Sequence, residues 1–333
     1  MTPLQLTSYL QYAITNRFPI LIKGKPGIGK SDLVTQAAAL ANANLIISHP
    51  VVSDPTDFKG LPFATKDGKA QFLPFDELQM LIDADGPTVF FLDDLGQAPA
   101  SVQAACMQLI LARRINGHKV SDHVTFIAAT NRKEDKAAVS GLLEPVKSRF
   151  ASIIELEVTT DDWIKWALNN NMPIELIAFI RFRPELLDNF TPTKDIVNSP
   201  SPRTVASVGK QQAAGLPPDL EFEVYKGAAG EAFAAEYTGF LQMFRNMPNI
   251  DQIILNPGTA AVPTEAAILY GLSGALAHKM NDNNIDSIVT YLNRLPGEMA
   301  VCCIKDAVTR KPALTNTRGY IKFATGKTGN MIL

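Results

Sequence analysis

The sequence predicts an α/β protein: a parallel sheet covered by helices, followed by an all-helical C-terminal domain. Three observations lead there. Short, near-continuous apolar runs alternate with helical patterns over the first half of the chain, which is how strands buried on both faces read. A glycine-rich segment, GKPGIGKS, joins the first of these runs directly to a helical one. Beyond the proline-rich stretch at 198–203 only helical patterns appear. The expected domains are therefore residues 1–197, the α/β core, and residues 198–333, the helical domain with a C-terminal helical extension.

Leu4, Leu6, Tyr9, Leu10, Ala13 and Ile14 recur at helical spacing, and residues 19–23 then form a short apolar strand. After the glycine segment, residues 31–43 read as a helix and 45–48 as a second strand. A strand, helix and strand within about thirty residues make a βαβ unit with parallel strands and a right-handed crossover. Further apolar runs at 88–92, 124–129 and 152–156 extend the sheet. Between them lie two hairpin candidates, 64–72 around Asp67-Gly68 and 114–120 around Asn116-Gly117, both pairs that favour two-residue turns. In the C-terminal part, helices are expected over 227–244, with a face of small residues, and over 264–279, 285–294 and 298–310. No internal repeat or low-complexity tract is found.

With 333 residues, 46% hydrophobic and 19% charged, the chain has ordinary globular composition and length for two cores. Its formal charge of -2 lacks the basic footprint of a dedicated nucleic-acid binder. Cys106, Cys302 and Cys303 form no disulfide ladder and read as small buried hydrophobes, which suits a reducing compartment. His49, His118, His123 and His278 lack metal-ligand spacing, so a metal is expected to arrive with a ligand. The N-terminus lacks a basic region followed by a long apolar run, and no stretch approaches the roughly 20 apolar residues of a membrane span. A cytoplasmic protein without membrane insertion is expected.

Gly24, Pro26, Gly27, Ile28, Gly29, Lys30 and Ser31 belong to a GxxxxGK[ST] segment between a strand and a helix. Glycines there let backbone N–H groups turn toward phosphate oxygens, and the helix points its positive end at them. Lys30 is expected to neutralise β- and γ-phosphate charge and Ser31 to ligate Mg²⁺. Lys25 is expected to face solvent. Hydrolysis also needs a metal carboxylate and a group that polarises water. Asp93 and Asp94, at the end of the apolar run Val-Phe-Phe-Leu, are candidates for those two tasks in that order. The alternative is an acidic pair capping the next helix. Asn131 ends another strand and is a candidate to bond a γ-phosphate or the lytic water, although alone it reads as a turn residue. Arg149 and Arg203 alone read as surface arginines; beside the loop they are candidates for the further cations of phosphoryl transfer.

The ordered set GKPGIGKS, FLDDLGQAPASVQAACMQLIL, FIAATN, EPVKSRF and SPRT resembles the motifs of P-loop NTPases of the AAA+ class, and specifically the MoxR-like, helix-2-insert branch, over residues 1 to about 245. The resemblance implies ATP and Mg²⁺ as cofactors, Lys30 and Ser31 in Walker A, and Asp93 and Asp94 in Walker B. Asn131 then matches sensor 1, Arg149 an arginine finger presented to the neighbouring subunit, and Arg203 sensor 2 on a helical lid. It further implies a homo-oligomer, by family habit a hexameric ring, with both hairpins directed to the central pore. A client protein, such as one with a von Willebrand A domain, would be remodelled or loaded with metal or cofactor. The segment 54–62 belongs to this pattern as a rigid loop exposing Phe58 and Lys59, for which a packed connector is the alternative.

One departure stands out. The family has Asp-Glu where this chain has Asp93-Asp94. The shorter side chain sets its carboxylate back by about 1.5 Å, and such a misplacement can cost on the order of a hundredfold in rate. An active ATPase is the expected function. The alternatives are an ATP-gated ring scaffold with little turnover and a DNA-acting motor or loader, the latter disfavoured by the near-neutral charge.

Overall fold

The computed structural model describes residues 1–135, 141–193 and 195–326. Two compact units divide between Thr159 and Thr160. In the first, α1 (Pro3–Asn16) leads into β1 (Ile20–Lys23), α2 (Lys30–Leu40) and β2 (Asn44–Ser48). Then come α3 (Pro55–Lys59), a ribbon of β3 (Leu61–Ala64) and β4 (Ala70–Leu73), α4 (Asp76–Asp83), β5 (Thr88–Leu92) and α5 (Ala100–Ala112). A second ribbon, β6 (Arg114–Ile115) and β7 (His118–Lys119), precedes β8 (Val124–Thr130), α6 (Glu144–Lys147) and β9 (Ser152–Glu155).

The five apolar runs form one parallel sheet in the order β2-β5-β8-β1-β9. Alternation of side chains along each strand divides them between two cores. Leu21, Phe90, Leu92, Phe126 and Ala128 face Val102, Ala105 and Leu109 of α5. Ile20, Ile22, Phe91, Ile127 and Ala129 face Leu6 and Leu10 of α1 and Val34 and Ala37 of α2. Each large apolar side chain so buried contributes about 1.5–3 kcal/mol, which is why these runs hold the sheet together without a polar face.

Strand register decides where the loops emerge. Lys23 pairs with Thr130 and Leu92 with Ala128, so the segments that follow β1, β5 and β8 leave the sheet at one edge. Gly24 continues the ladder by donating its N–H to Thr130 O at 3.2 Å.

The two ribbons differ in their turns. Asn116 and Gly117 both have positive φ, 45° and 90°, the type I′ turn their sequence favours. The other ribbon does not turn on Asp67-Gly68 alone. Gly68 has φ 75°, its N–H bonds Thr65 O at 3.0 Å, and Thr65 N–H bonds Lys69 O at 2.8 Å; Asp67 keeps negative φ. The turn runs over 65–68 with glycine at the bulge position. Asn116 Nδ2 donates to Lys59 O at 2.8 Å, and His118 Nε2 lies 2.7 Å from Phe72 O, tying one ribbon to the other. Of the two readings of 54–62 the packed connector holds: the segment contains the short helix α3, capped by Asp54. Phe58 is buried at 2% exposure beneath it; Lys59 is half-buried. A phenylalanine next to the core of α5 gains more by packing than by projecting into water.

The second unit is helical: α7 (Thr160–Asn169), α8 (Ile174–Phe182), α9 (Pro202–Ala213), α10 (Glu221–Ala229), α11 (Glu231–Arg245), α12 (Ile250–Leu255), α13 (Ala266–Lys279), α14 (Ile285–Leu292), α15 (Gly297–Arg310) and α16 (Arg318–Ala324). The division falls before α7, earlier than the expected 197/198, because α8 packs on α13 and α7 on α15. Leu272, Leu276, Ile288, Leu292, Cys303 and Ile304 centre its core. The single helix expected over 227–244 is two. Gly230 (φ 92°, ψ 162°) separates α10 from α11, and a Cβ there would lie 2.8 Å from Asn198 O. Among the described residues no helix is long and apolar enough to cross a membrane.

Candidate functional site

The segment between β1 and α2 is shaped by its glycines. Gly27 and Gly29 take φ 77° and 91°, a conformation that turns successive N–H groups to one side and that side chains resist. At Gly24 the constraint is space: a Cβ would meet Ile28 Cδ1 at 2.6 Å, and Ile28 is itself buried against the sheet. Pro26 is half-buried at the crest. Gly29 is the N-cap of α2 and supplies no side-chain cap, so the first-turn N–H groups face outward as an anion-binding end. Five side chains from three chain segments meet around this loop.

Lys30 is 6% exposed. Its Nζ donates to Gly24 O at 3.1 Å, Lys25 O at 2.8 Å and Asn131 Oδ1 at 2.7 Å. The other end of the Asn131 amide, Nδ2, donates to Asp94 Oδ1 at 3.3 Å. One amide therefore spans the ammonium of the loop and the second carboxylate. Ser31 Oγ donates to Asp93 Oδ2 at 2.7 Å, and Asp93 Oδ1 accepts from the Asp94 N–H at 3.1 Å. Asp94 has left-handed backbone, φ 56° and ψ 33°, which an aspartate tolerates better than most side chains.

The structure thus brings together Lys30, Ser31, Asp93, Asp94 and Asn131. The set fits a nucleoside triphosphate with its magnesium ion. Ser31 and Asp93 offer a hydroxyl and a carboxylate side by side, hard oxygen donors of the type Mg²⁺ takes while keeping several waters. Among the described residues no group of three or more His, Cys, Asp or Glu side chains could hold a metal ion.

Arg149 is placed apart from this group. It follows α6, with Nη1 3.5 Å from Ser148 Oγ and Nε buried without a hydrogen-bond partner. Among the described residues it forms no ion pair with Asp93 or Asp94. Arg203 lies in the second unit, exposed in the first turn of α9. Ser201 and Thr204 form the capping box of that turn. A cation there opposes the helix dipole, so helix stability does not account for it.

Several contributors escaped the sequence reading. At Gly96 a Cβ would approach Thr130 Oγ1 to 2.1 Å, so glycine lets the turn after Asp94 press on the end of β8. Gln103 is buried; it donates to Ala98 O and Gly141 O and accepts from Leu143 N–H at 3.0 Å, which anchors the approach to α6. Arg132 and Glu155 flank the loop with charge. The Glu155 carboxyl is held below its usual range, first by the hydrogen bond from Lys23 and then by Arg132. A glycine two residues after an acidic pair and an arginine following Asn131 were the visible signals, but neither has a meaning until the strands are registered.

The family model described as ATPase family associated with various cellular activities (AAA) matches residues 20–158. No curated protein matches the chain. Among solved structures, the chain is similar to the Thermotoga maritima RuvB Holliday junction branch migration motor, at 17% identity and TM-score 0.40, over 88% of this chain and 86% of that one. It is also similar to NtrX from Brucella abortus in complex with ADP, at 14% identity and TM-score 0.44, over 96% and 66%. Scores this low say nothing about function or assembly. With the parallel sheet and the loop geometry, the family match identifies residues 20–158 as an AAA ATPase domain.

Proposed function

We propose that this protein is an ATP-hydrolysing AAA+ ATPase of MoxR type, working in the cytoplasm as a homo-oligomeric ring, by family habit a hexamer, that remodels or activates a partner protein. The observation that carries the reading is the hydrogen-bonded set Ser31–Asp93 and Lys30–Asn131–Asp94 at one edge of the sheet. The N–H groups of 27–31 cradle the phosphates and Lys30 exchanges its loop carbonyls for phosphate oxygens. Ser31 and Asp93 would hold Mg²⁺, which when bound would neutralise phosphate charge. Asp94 accepts a proton from the attacking water, and Asn131 fixes its carboxylate. Arg149 is the cation given to the next copy's site, supported by its buried, unpartnered Nε and by its forming no ion pair among the described residues. Arg203 is the sensor of the helical lid. The partner is a client protein, in this branch one with a von Willebrand A domain, receiving mechanical work or a metal or cofactor.

The test is steady-state phosphate release with Mg²⁺ and ATP for wild type and Asp94→Asn. Wild type is expected to exceed the variant by about 10²–10⁴-fold, the range for a lost general base. Equal background rates with intact ATP binding would instead support the ATP-gated ring scaffold. DNA-stimulated turnover would support the DNA-acting motor, which the near-neutral chain charge disfavours.

A further inference from the structure

We propose that Arg132 is a positioning residue for hydrolysis: it locks Asn131 against Lys30 and Asp94 through a charge clamp across the ends of β8, β9 and β1. The proposal rests on the ATPase reading and adds a residue to it. Arg132 follows Asn131 directly. Its Nε and Nη2 donate to the two carboxylate oxygens of Asp135 at 2.9 and 2.8 Å, and Nη1 reaches Glu155 Oε1 at 3.4 Å. Glu155 Oε2 in turn lies 2.8 Å from Lys23 Nζ, the residue immediately before the glycine loop. Three neighbouring strands are joined where the loop departs.

Geometry separates the Arg132–Asp135 part of this clamp from an ordinary surface pair, whereas Lys23 and Glu155 are 43% and 38% exposed. The Arg132 and Asp135 side chains are 22% and 7% exposed, and the contact is a two-bond fork. Such forks are about twice as strong as neutral hydrogen bonds and fix orientation as well as distance. Asn131 has left the strand, so β8 pairing no longer holds it, yet both ends of its amide are committed. Its side chain can span Lys30 and Asp94 only if its backbone stays in place. The fork on the next residue meets that need, and the link through Glu155 to Lys23 ties the same backbone to the loop carrying Lys30.

Lysine keeps the charge of arginine but cannot form the fork, which makes Arg132→Lys the informative variant. Asp135→Asn weakens the same fork from the other side. The measurements are kcat for phosphate release, Kd for a labelled ATP analogue and the melting temperature. Both variants are expected to melt near wild type, to bind nucleotide within about threefold, and to lose on the order of tenfold or more in kcat, as for a small misplacement at the reacting centre. In an Asn131→Ala background Arg132→Lys should cost almost nothing further. Wild-type kcat in either folded variant, or full additivity with Asn131→Ala, would overturn the proposal. Should one variant fail to fold, the other still decides. A wild type without turnover refutes the ATPase reading itself and is separately visible.

Discussion

Asp94 carries the most informative local conflict in the molecule. Its family counterpart is one methylene longer, and the sequence alone suggests a carboxylate set too far back. In the structure the residue adopts left-handed backbone, and Asn131 holds its carboxylate from the other side of the loop. This geometry is built for aspartate. Glutamate lacks the short local hydrogen bonding that makes the left-handed region tolerable to aspartate, and its carboxylate would overshoot the Asn131 amide. Asp94→Glu is therefore expected to lower phosphate release, by about tenfold for a roughly 1.4 kcal/mol loss at the transition state. A rate above wild type would show that the site merely lacks its usual glutamate. The identity of these residues was legible in the sequence because strand ends followed by Asp-Asp or Thr-Asn are local patterns. Their bonding was not, since the Lys30–Asn131 bond joins positions 101 residues apart.

At the scale of elements, legibility followed the length and purity of the apolar signal. All five sheet strands were readable: β1, β5 and β8 are buried nearly throughout and so must be apolar, and the partly exposed edge strands β2 and β9 still carry enough apolar residues to show. The segment 54–62 left two readings open, since the five residues of α3 hold too little periodicity to reveal that Phe58 is buried. Helix α7, and with it the division before Thr160, carries no comparably pure apolar signal. The long helix over 227–244 was broken by Gly230, whose role depends on Asn198 O, a contact invisible along the chain. In this second unit α8 and α15 are joined by Arg181 and Asp306, which form a two-bond ion pair with side-chain exposures of 18% and 4%. Removing one partner leaves a buried charge uncompensated, so Asp306→Ala is expected to destabilise the unit by about 3–5 kcal/mol. Chemical denaturation of Asp306→Ala alone and combined with Arg181→Met checks this. The double variant should be more stable than Asp306→Ala, and a double variant of equal or lower stability would argue against a desolvated pair.

On the scale of the whole molecule, the first unit gathers the loop, two carboxylates and an amide, while among the described residues Arg149 forms no ion pair and its Nε is buried without a partner. The role proposed for Arg149 therefore requires a neighbouring copy in head-to-tail contact. Such contacts close into rings when their rotation allows. A complementation measurement tests this directly: phosphate release by Lys30→Ala, by Arg149→Ala, and by an equimolar mixture reassembled with ATP. Each variant alone should be inactive. In the mixture a site is complete wherever intact Lys30 adjoins intact Arg149, so about a quarter of the wild-type rate should return for randomly mixed neighbours. A mixture as inactive as its parts, with wild type active and the copies shown to exchange, would contradict a site shared between subunits.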